Sequence, residues 1–368
     1  MNYVGVDIHK KYSVLCAVDE VGKKVGEGRV EGNSEKGFAR FFAGLEGPSK
    51  AVLEACWNWG LIHDLLEEIE EVEEVVLAHP LKTRLIAEAQ IKNDRLDAYA
   101  LGTLLRGELV ARTHIPGRET RARKNLLRQR LYWARLRTML RNRIHALLDR
   151  QRGMQLPQCS DIFGVRGLGF LRRLELGEPD GTLLREALAL HDLIAQQIKA
   201  QEKRIVAEFE DEAEHRCLRS VPGIGATLAA VIGCEIDGIL RFGSAERLCA
   251  YAGVVPTTYA SGGKVVHGRL LSSCNKWLRW ALIEASWVAI GCSAYFGTFY
   301  QQQRARGKKP NTAITIVARR MCRILYQLLQ EKRDFEKQPP RAHSKSCPRL
   351  LRVKTDGTSA TCLLKPGC

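Results

Sequence analysis

The stretch Tyr3-Val4-Gly5-Val6-Asp7-Ile8 decides how the first third of this chain is read. It has the pattern of a short buried strand that ends on an acid. Working outward, Tyr12 to Val18 reads as a second strand and Lys24 to Val30 as a third. The turn residues Asp19, Gly22 and Lys23 between them suit antiparallel hairpins. Ser34 to Leu45 has helical spacing, with Ser34 placed to cap it. Ala51-Val52-Leu53-Glu54 is a fourth strand that also ends on an acid. A helix follows over about Trp57 to Glu70, then a fifth strand at Val75 to Ala78. Pro80 is placed to open another helix, and Asp94 to Arg106 is amphipathic.

Three strands, a helix, a strand, a helix, a strand and further helices make the order of a ribonuclease-H-type domain. Asp7, Glu54, Asp94 and Asp97 fall where such a domain holds its metals: the first strand, the end of the fourth and the last helix. Asp94 and Asp97 are three apart and share a helical face. Mg²⁺ takes carboxylate oxygens and keeps waters, and two such ions ~4 Å apart can activate an attacking oxygen and stabilise a leaving one. Without cations, four clustered carboxylates repel one another. Singly, each acid has an ordinary alternative. Asp7 can cap a turn, Glu54 can pair with Lys50, Asp94 can be a helix cap, and Asp97 a solvated first-turn acid favoured by the dipole. Actin-like kinases share the strand order, but they follow the first acid with a glycine, and Ile8-His9-Lys10 stands here.

The chain has 368 residues, room for two or three domains, and 57 Lys and Arg against 41 Asp and Glu leave +16 at pH 7. Such an excess points to a polyanionic partner, with nucleic acid the commonest. Twelve cysteines form no C-x-x-C pair, which argues against a zinc ribbon and for reduced thiols in a cytosolic protein. The strand pattern begins at once at Tyr3, so no signal peptide is expected, and no apolar run is long enough to span a bilayer. The expectation is a prokaryotic cytoplasmic, nucleoid-associated protein with no membrane partner.

From Arg118 to Arg152 there are twelve Lys or Arg and two acids, Glu119 and Asp149. Leu136, Leu140, Ile144 and Leu147 stripe this segment as a helix ~50 Å long. Leu184 to Val206 offers a second periodic helix, and the loop-rich Gly153 to Gly181 lies between them. The simplest arrangement is a helical hairpin with an elaborate tip, able to pair with another subunit. Arg128, Arg135 and Arg141 are its candidate phosphate contacts.

Further on, Val221-Pro222-Gly223-Ile224-Gly225 resembles a helix-hairpin-helix turn, in which Gly223 and Gly225 let backbone N–H groups face a phosphate. A tight helix–helix turn is the alternative. Tyr259-Ala260-Ser261-Gly262-Gly263-Lys264 places a lone serine before glycines, which is a turn residue on ordinary grounds. Lys264, Arg269 and Lys276 follow as candidate DNA contacts, with His267 among them. Trp280 and Trp287 lie in a long helix and read as core. A last helix runs from about Thr312 to Lys332 with Asn311 as cap, and residues 333–368 carry no periodicity and read as a mostly disordered basic tail.

These motifs together resemble the IS110/IS1111 family of insertion-sequence transposases. The Gly-Val-Asp-Ile-His-Lys start, the Glu-Ala after the fourth strand and Lys-Asn-Asp-Arg-Leu-Asp-Ala are similar to its N-terminal DEDD domain. Pro-Gly-Ile-Gly, Ala-Gly-Val-Val-Pro, Ser-Gly-Gly-Lys and Asn-Lys-Trp-Leu-Arg are similar to its C-terminal domain. Ala260 stands where the family has glutamine, and Ser272-Ser273-Cys274-Asn275 departs from its Ser-Lys-x-Gly-Asn element. The fold the resemblance implies is α/β plus α. An RNase H-like (RuvC-like) domain occupies 1–115 and a helical coiled-coil linker 116–214. A mainly helical transposase domain with the helix-hairpin-helix-like turn occupies 215–332, and the tail 333–368. The function implied is cutting and rejoining of donor and target DNA through a phosphoserine at Ser261. Asp7, Glu54, Asp94 and Asp97 would hold Mg²⁺, or Mn²⁺ in its place. A structured non-coding guide RNA and a homo-oligomer (dimer or tetramer), with one subunit's acids meeting another's serine, are implied as well. Two competing classes stay open: a metal-only Holliday-junction-type nuclease, which needs the acids but not Ser261, and a non-catalytic nucleic-acid binder, which needs neither.

Overall fold

Asn2–Ile8 forms β1, the central strand of a five-stranded sheet. The structure, a computed structural model, describes residues 1–80, 82–83, 93–151, 153–261 and 264–336; of residues 260, 261, 264, 265 and 267 it describes the backbone alone. The expected basic tail beyond residue 336 lies outside the described residues, as does most of the helix expected after Pro80.

On one side of β1, β2 (Tyr12–Val18) and β3 (Lys24–Glu31) continue antiparallel; on the other, β4 (Ser49–Glu54) and β5 (Val72–Ala78) run parallel, giving the order β3-β2-β1-β4-β5. This mixed sheet is consistent with a ribonuclease-H-like N-terminal domain. Short polar turns connect the hairpins, whereas parallel neighbours need crossovers. Those crossovers contain α1 (Glu35–Ala43) and α2 (Trp59–Glu67), whose Phe38, Phe42, Ile62 and Leu66 are buried in one core with Val4, Val6, Leu15 and Leu53.

Side chains alternate across a strand, so Gly5 and Asp7 face the opposite way from Val4 and Val6. That second face is covered by α3 (Asp94–Arg106), whose Ala98, Leu101 and Leu105 pack over Val14, Cys16, Val52 and Val76. The approach is backbone on backbone. A Cβ on Gly5 would lie 1.9 Å from the Ala98 carbonyl oxygen and 2.6 Å from the Gly102 nitrogen. Only glycine fits there. The sequence reading of α3 is met at both ends, and its cap is Asn93, whose side chain accepts from the Arg95 N–H, so Asp94 is not the cap.

The basic segment folds as α4 (Arg118–Asp149), which packs on α6 (Asp180–Phe209). The intervening stretch, read as loop, contains a further helix, α5 (Val165–Arg173), whose Leu171 joins Ile144, Leu147 and Leu184 in a small core at the tip. There follow α7 (Ala213–Arg219), α8 (Ala226–Ile236), α9 (Ala245–Tyr251), the hairpin β6 (Pro256–Ser261) and β7 (Lys264–Leu270), then α10 (Lys276–Cys292), α11 (Ala294–Ala305) and α12 (Pro310–Glu331). The hairpin was read only as a turn, although Gly-Gly between two apolar runs is a two-residue hairpin signal. The cap of α12 is Lys309, with Pro310 in the first turn, and not Asn311. The stripe Ile314, Val317, Met321, Ile324 and Leu328 is buried as expected, in a core that also takes Leu127 and Leu131 of α4 and Ile205 and Phe209 of α6. Trp280 packs against that core, whereas Trp287 is 41% exposed. Among the described residues no single helix is long and apolar enough to cross a membrane, and the nine described cysteines are free thiols.

One buried carboxylate joins α4 to this last part. Glu235 is 5% exposed and sits 3.4 Å from the Lys124 ammonium and 3.3 Å from Arg128. The Asn275 amide donates to it at 2.9 Å and to the Tyr251 hydroxyl at 3.0 Å, while its carbonyl accepts from the Trp277 and Leu278 N–H groups and caps α10. Lys124 is itself buried, so removing its counter-charge strands a cation in the core.

Two stability measurements test this packing. Gly5→Ala is expected to cost about 3 kcal/mol by urea unfolding, the upper end for overpacking. Gly102→Ala, whose nearest neighbours would be 3.0–3.3 Å away, should stay within about 1 kcal/mol of the parent, because better helix propensity offsets the squeeze. Glu235→Ala is expected to cost about 3–5 kcal/mol, with Glu235→Gln milder since an amide still meets Asn275.

Candidate active site

Parallel pairing of Val6 with Leu53 sets the next residues, Asp7 and Glu54, at the carboxyl ends of adjacent strands. Glu54 shares the sheet face of Val52, the face covered by α3. The Gly5 contact presses α3 down on β1 with its first turn, carrying Asp94 and Asp97, over the end of the strand. Both acid-bearing strand ends and the start of the helix thus lie at the carboxyl end of the sheet's central strands.

The closest grouping there is Asp7, His9 and Asp94, each offering an atom within 4.8 Å of the others'. The His9 Nε2 lies 3.0 Å from Asp7 Oδ2 and 3.2 Å from Asp94 Oδ2. The Tyr12 hydroxyl donates to Asp94 Oδ2 at 3.1 Å, and its ring stacks on His9 at 4.7 Å and lies 3.6 Å from the Arg29 guanidinium. His9 is held from behind: its N–H donates to the Tyr12 carbonyl, and its own carbonyl accepts from Asn33, which in turn accepts from the buried Ser13 hydroxyl. Asp97 lies close enough for its charge to act on Asp7. Neither Glu54 nor Asp97 is in the 4.8 Å group, and Glu54 has an interaction of its own.

Burial pushes the Asp7 carboxyl above its ordinary value, His9 pulls it back, and the charges of Asp94 and Asp97 raise it again. The hydrogen bond to Asp94 likewise raises the Tyr12 hydroxyl. A pair of carboxylates under mutual repulsion, with an imidazole nitrogen between them, fits a hard divalent cation: the oxygens suit Mg²⁺, and the nitrogen is tolerated better by Mn²⁺. His9 was missed as a site residue. The signal was its spacing, two along from Asp7 and therefore on the same side of an extended chain.

The remaining candidates are spread more widely. Ser261 ends β6 and pairs with Lys264 across the hairpin turn; the side chains of Ser261, Lys264 and His267 lie outside the described residues, as do Gly262 and Gly263. Arg269 and Lys276 are exposed. Hydrogen bonds between the halves include Ser273 Oγ with His79 Nε2 at 3.2 Å, one residue past β5, and His114 with Asp237 at 2.6 Å. Gly223 has φ +89°, and its Cβ would meet the Ala285 oxygen of α10 at 2.3 Å, so packing alone requires a glycine there; Gly225 caps α8 with nothing within 4 Å. On α4, Arg128 and Arg135 lie over Trp277 at 5.6 and 5.1 Å, and Arg141 over Phe163 at 4.8 Å. Much of the basic segment's charge is met from elsewhere in the fold: Arg121 by Asp64, Arg123 by Glu208 and Glu212, Arg130 by Glu202. The count of twelve cations against two acids therefore overstates the helix's self-repulsion.

A mixed sheet of this order, with carboxylates at its strand ends, is consistent with a ribonuclease-H-like domain that depends on a divalent metal. Residues 4–151 match a family model described as transposase, the DEDD type of IS110 elements, and residues 215–301 match one described as the transposase IS116/IS110/IS902 family. The chain belongs to this family of insertion-sequence transposases. It is 29% identical, over 40% of its own length and 36% of the relative's, to the uncharacterised 43.6 kDa protein of insertion element IS110 from Streptomyces coelicolor. It is 26% identical to the transposase for IS1111A from Coxiella burnetii, over 77% and 76% of the two chains. It is 32% identical to a pilin gene-inverting protein of Moraxella bovis, over 34% and 40%. The chain spans less than half the length of the first relatives it matches, 36 to 43%.

Metal linkage gives a direct test. At a Mg²⁺ concentration of 100 times Kd the fold should gain about 2.7 kcal/mol, read as a rise in Tm, and Asp7→Asn should abolish that rise. Because the Asp7 pKa is raised by folding, the stability this group contributes is complete below its unfolded pKa and is lost as pH rises through the folded value. Without metal at neutral pH, Asp7→Asn is accordingly expected to be at least as stable as the parent protein.

Proposed function

We propose that this chain is a DNA transposase that cuts and rejoins donor and target DNA through a phosphoserine at Ser261. The observation that carries the reading is the convergence of Asp7, Asp94 and His9 at the carboxyl end of the central strand, in a chain that also bears the family's second segment. In the reaction the Ser261 hydroxyl gives up its proton and its oxygen bonds to a DNA phosphorus, while the bond from phosphorus to one deoxyribose oxygen breaks. That oxygen leaves as a hydroxyl. A hydroxyl of the partner strand then attacks the same phosphorus and regenerates Ser261, so the bond energy is conserved without ATP. A serine hydroxyl is a weak nucleophile and needs activation. Asp7, Glu54, Asp94 and Asp97 would hold Mg²⁺, which when bound supplies Lewis acidity to the reacting oxygens and offsets charge on the phosphorane. Tyr12 and His9 orient the Asp94 and Asp7 carboxylates.

DNA is the partner this reading needs, and three features support it. The chain carries +16. The Arg137 guanidinium is pulled below its ordinary value by burial and by the nearby Arg141 and Arg130 charges, so a phosphate there would relieve repulsion. The open backbone at Gly225, at the start of α8, suits a phosphate as well. Self-association is the natural use of the helical hairpin, where Tyr132 and Met139 of α4 and Leu190 and Leu193 of α6 are all more than half exposed. A structured guide RNA belongs to the same proposal, and RNA recovered with the purified protein tests it.

Suicide DNA substrates separate this mechanism from a metal-only nuclease. Ser261→Ala should eliminate any covalent protein–DNA adduct and all strand exchange. Asp7→Ala should reduce both by about 10²–10³-fold, in the range of lost electrostatic stabilisation. Strand exchange by Ser261→Ala at the parent rate would refute the nucleophile.

A further inference from the structure

Trp57 stands three residues beyond Glu54, on the loop between β4 and α2, and it is 72% exposed. Leu61, one turn into α2, is 56% exposed beside it. Leaving that much aromatic and aliphatic surface in water forgoes burial energy that neighbouring Trp59 gains by packing on the sheet's core. The two residues line one side of a cleft of about 390 Å³. The start of α4 forms the other side, with Asn125 and Arg128.

The polar groups of this cleft are suited to a flat, hydrogen-bonding ligand. Asn58 occupies the cap position of α2, yet its side chain makes no capping bond. Among the described residues, the side-chain amides of Asn58 and Asn125 have no hydrogen-bond partner, so both are available to a ligand. Arg121 is different: Asp64 holds it at 2.5 Å and it lies 5.3 Å from the Trp59 ring, which makes it a wall of the cleft. Arg128 is paired with Glu235 at 3.3 Å on its inner side, yet at 44% exposed it is the most accessible of the three cations lining the cleft and stands at its mouth.

We propose that this cleft receives one unpaired nucleobase of the DNA strand being processed, stacked on the Trp57 indole, with the Asn58 and Asn125 amides at its edge and Arg128 against the flanking phosphate. An aromatic face takes any base, while amide groups read its hydrogen-bonding edge. A paired, stacked base cannot present its face, so the ligand is a base already out of the helix. DNA is favoured over RNA by position: Trp57 is three residues along from Glu54, on the loop that leaves the end of the same strand. This rests on the DNA-processing reading above. It adds a holding point that keeps a melted strand open next to the acids.

The test uses the full chain and three versions of one DNA duplex: fully paired, bulged by a single 2-aminopurine, and replaced by the corresponding single strand. Trp57→Ala should weaken binding to the bulged and single-stranded forms on the order of tenfold and relieve the quenching of 2-aminopurine. Binding to the paired duplex should change less than about twofold, and Trp57→Phe should retain most of the affinity and quenching. Equal losses on paired and unpaired DNA would overturn the proposal. So would an effect confined to single-stranded RNA, or a change of oligomeric state in Trp57→Ala by sedimentation. If the parent protein binds DNA and Trp57→Ala behaves like it, this proposal alone fails. If the parent protein binds none of the three DNAs, the DNA-processing reading fails and takes this one with it.

Discussion

The contact between Gly5 and the Ala98–Gly102 segment is the constraint on which the rest of the N-terminal half depends. A helix normally rests on a sheet through a layer of side chains. Here one turn of α3 lies on the backbone of β1 with no side chain between them. That closeness brings the first turn of the helix over the end of the strand, so that Asp94 reaches the same imidazole as Asp7. His9 lies between the two carboxylates, its ring stacked on Tyr12 and its backbone held by the Ser13–Asn33 pair. A divalent cation would answer the repulsion between the carboxylates, so the arrangement is one that suits a metal.

A second arrangement of charge organises the other half. Glu235 meets Lys124 and Arg128 of the long basic helix and Asn275 at the head of α10, so one buried carboxylate fixes three elements at once. Buried ion pairs contribute little net stability compared with apolar packing, but breaking one is costly. Their value here is orientation. The Glu235 group, together with Leu127 and Leu131 in the core, holds α4 against α8 and α10. His79–Ser273 and His114–Asp237 then tie the sheet to the helical half at two further points.

The sequence carried most of the N-terminal domain because its signals are local. Strand runs ending in Asp7 and Glu54, and a helix opening on Asp94, are legible from apolar periodicity and from acids at the ends of elements. The reading missed where chemistry depends on contacts distant in sequence. His9 is two residues from Asp7, yet it matters because Asp94 comes to it from 85 positions away. The β6–β7 hairpin rests on pairing between two separate runs, Pro256–Ser261 and Lys264–Leu270, which the serine-glycine motif alone does not reveal. The arginines of α4 were counted against acids within their own segment, and the acids that answer them come from α2, α6 and α8.

By itself the sequence determined the order of strands and helices, the acids at their ends and the excess of positive charge, since each is a property of neighbours along the chain. Only the tertiary structure decided which of those acids share one imidazole, which cations are neutralised inside the protein, and which aromatic, Trp57, is left facing solvent beside the acid-bearing strand. Those outcomes depend on how closely two backbones can approach and on what reaches a side chain through space, and neither distance is written in the spacing of residues.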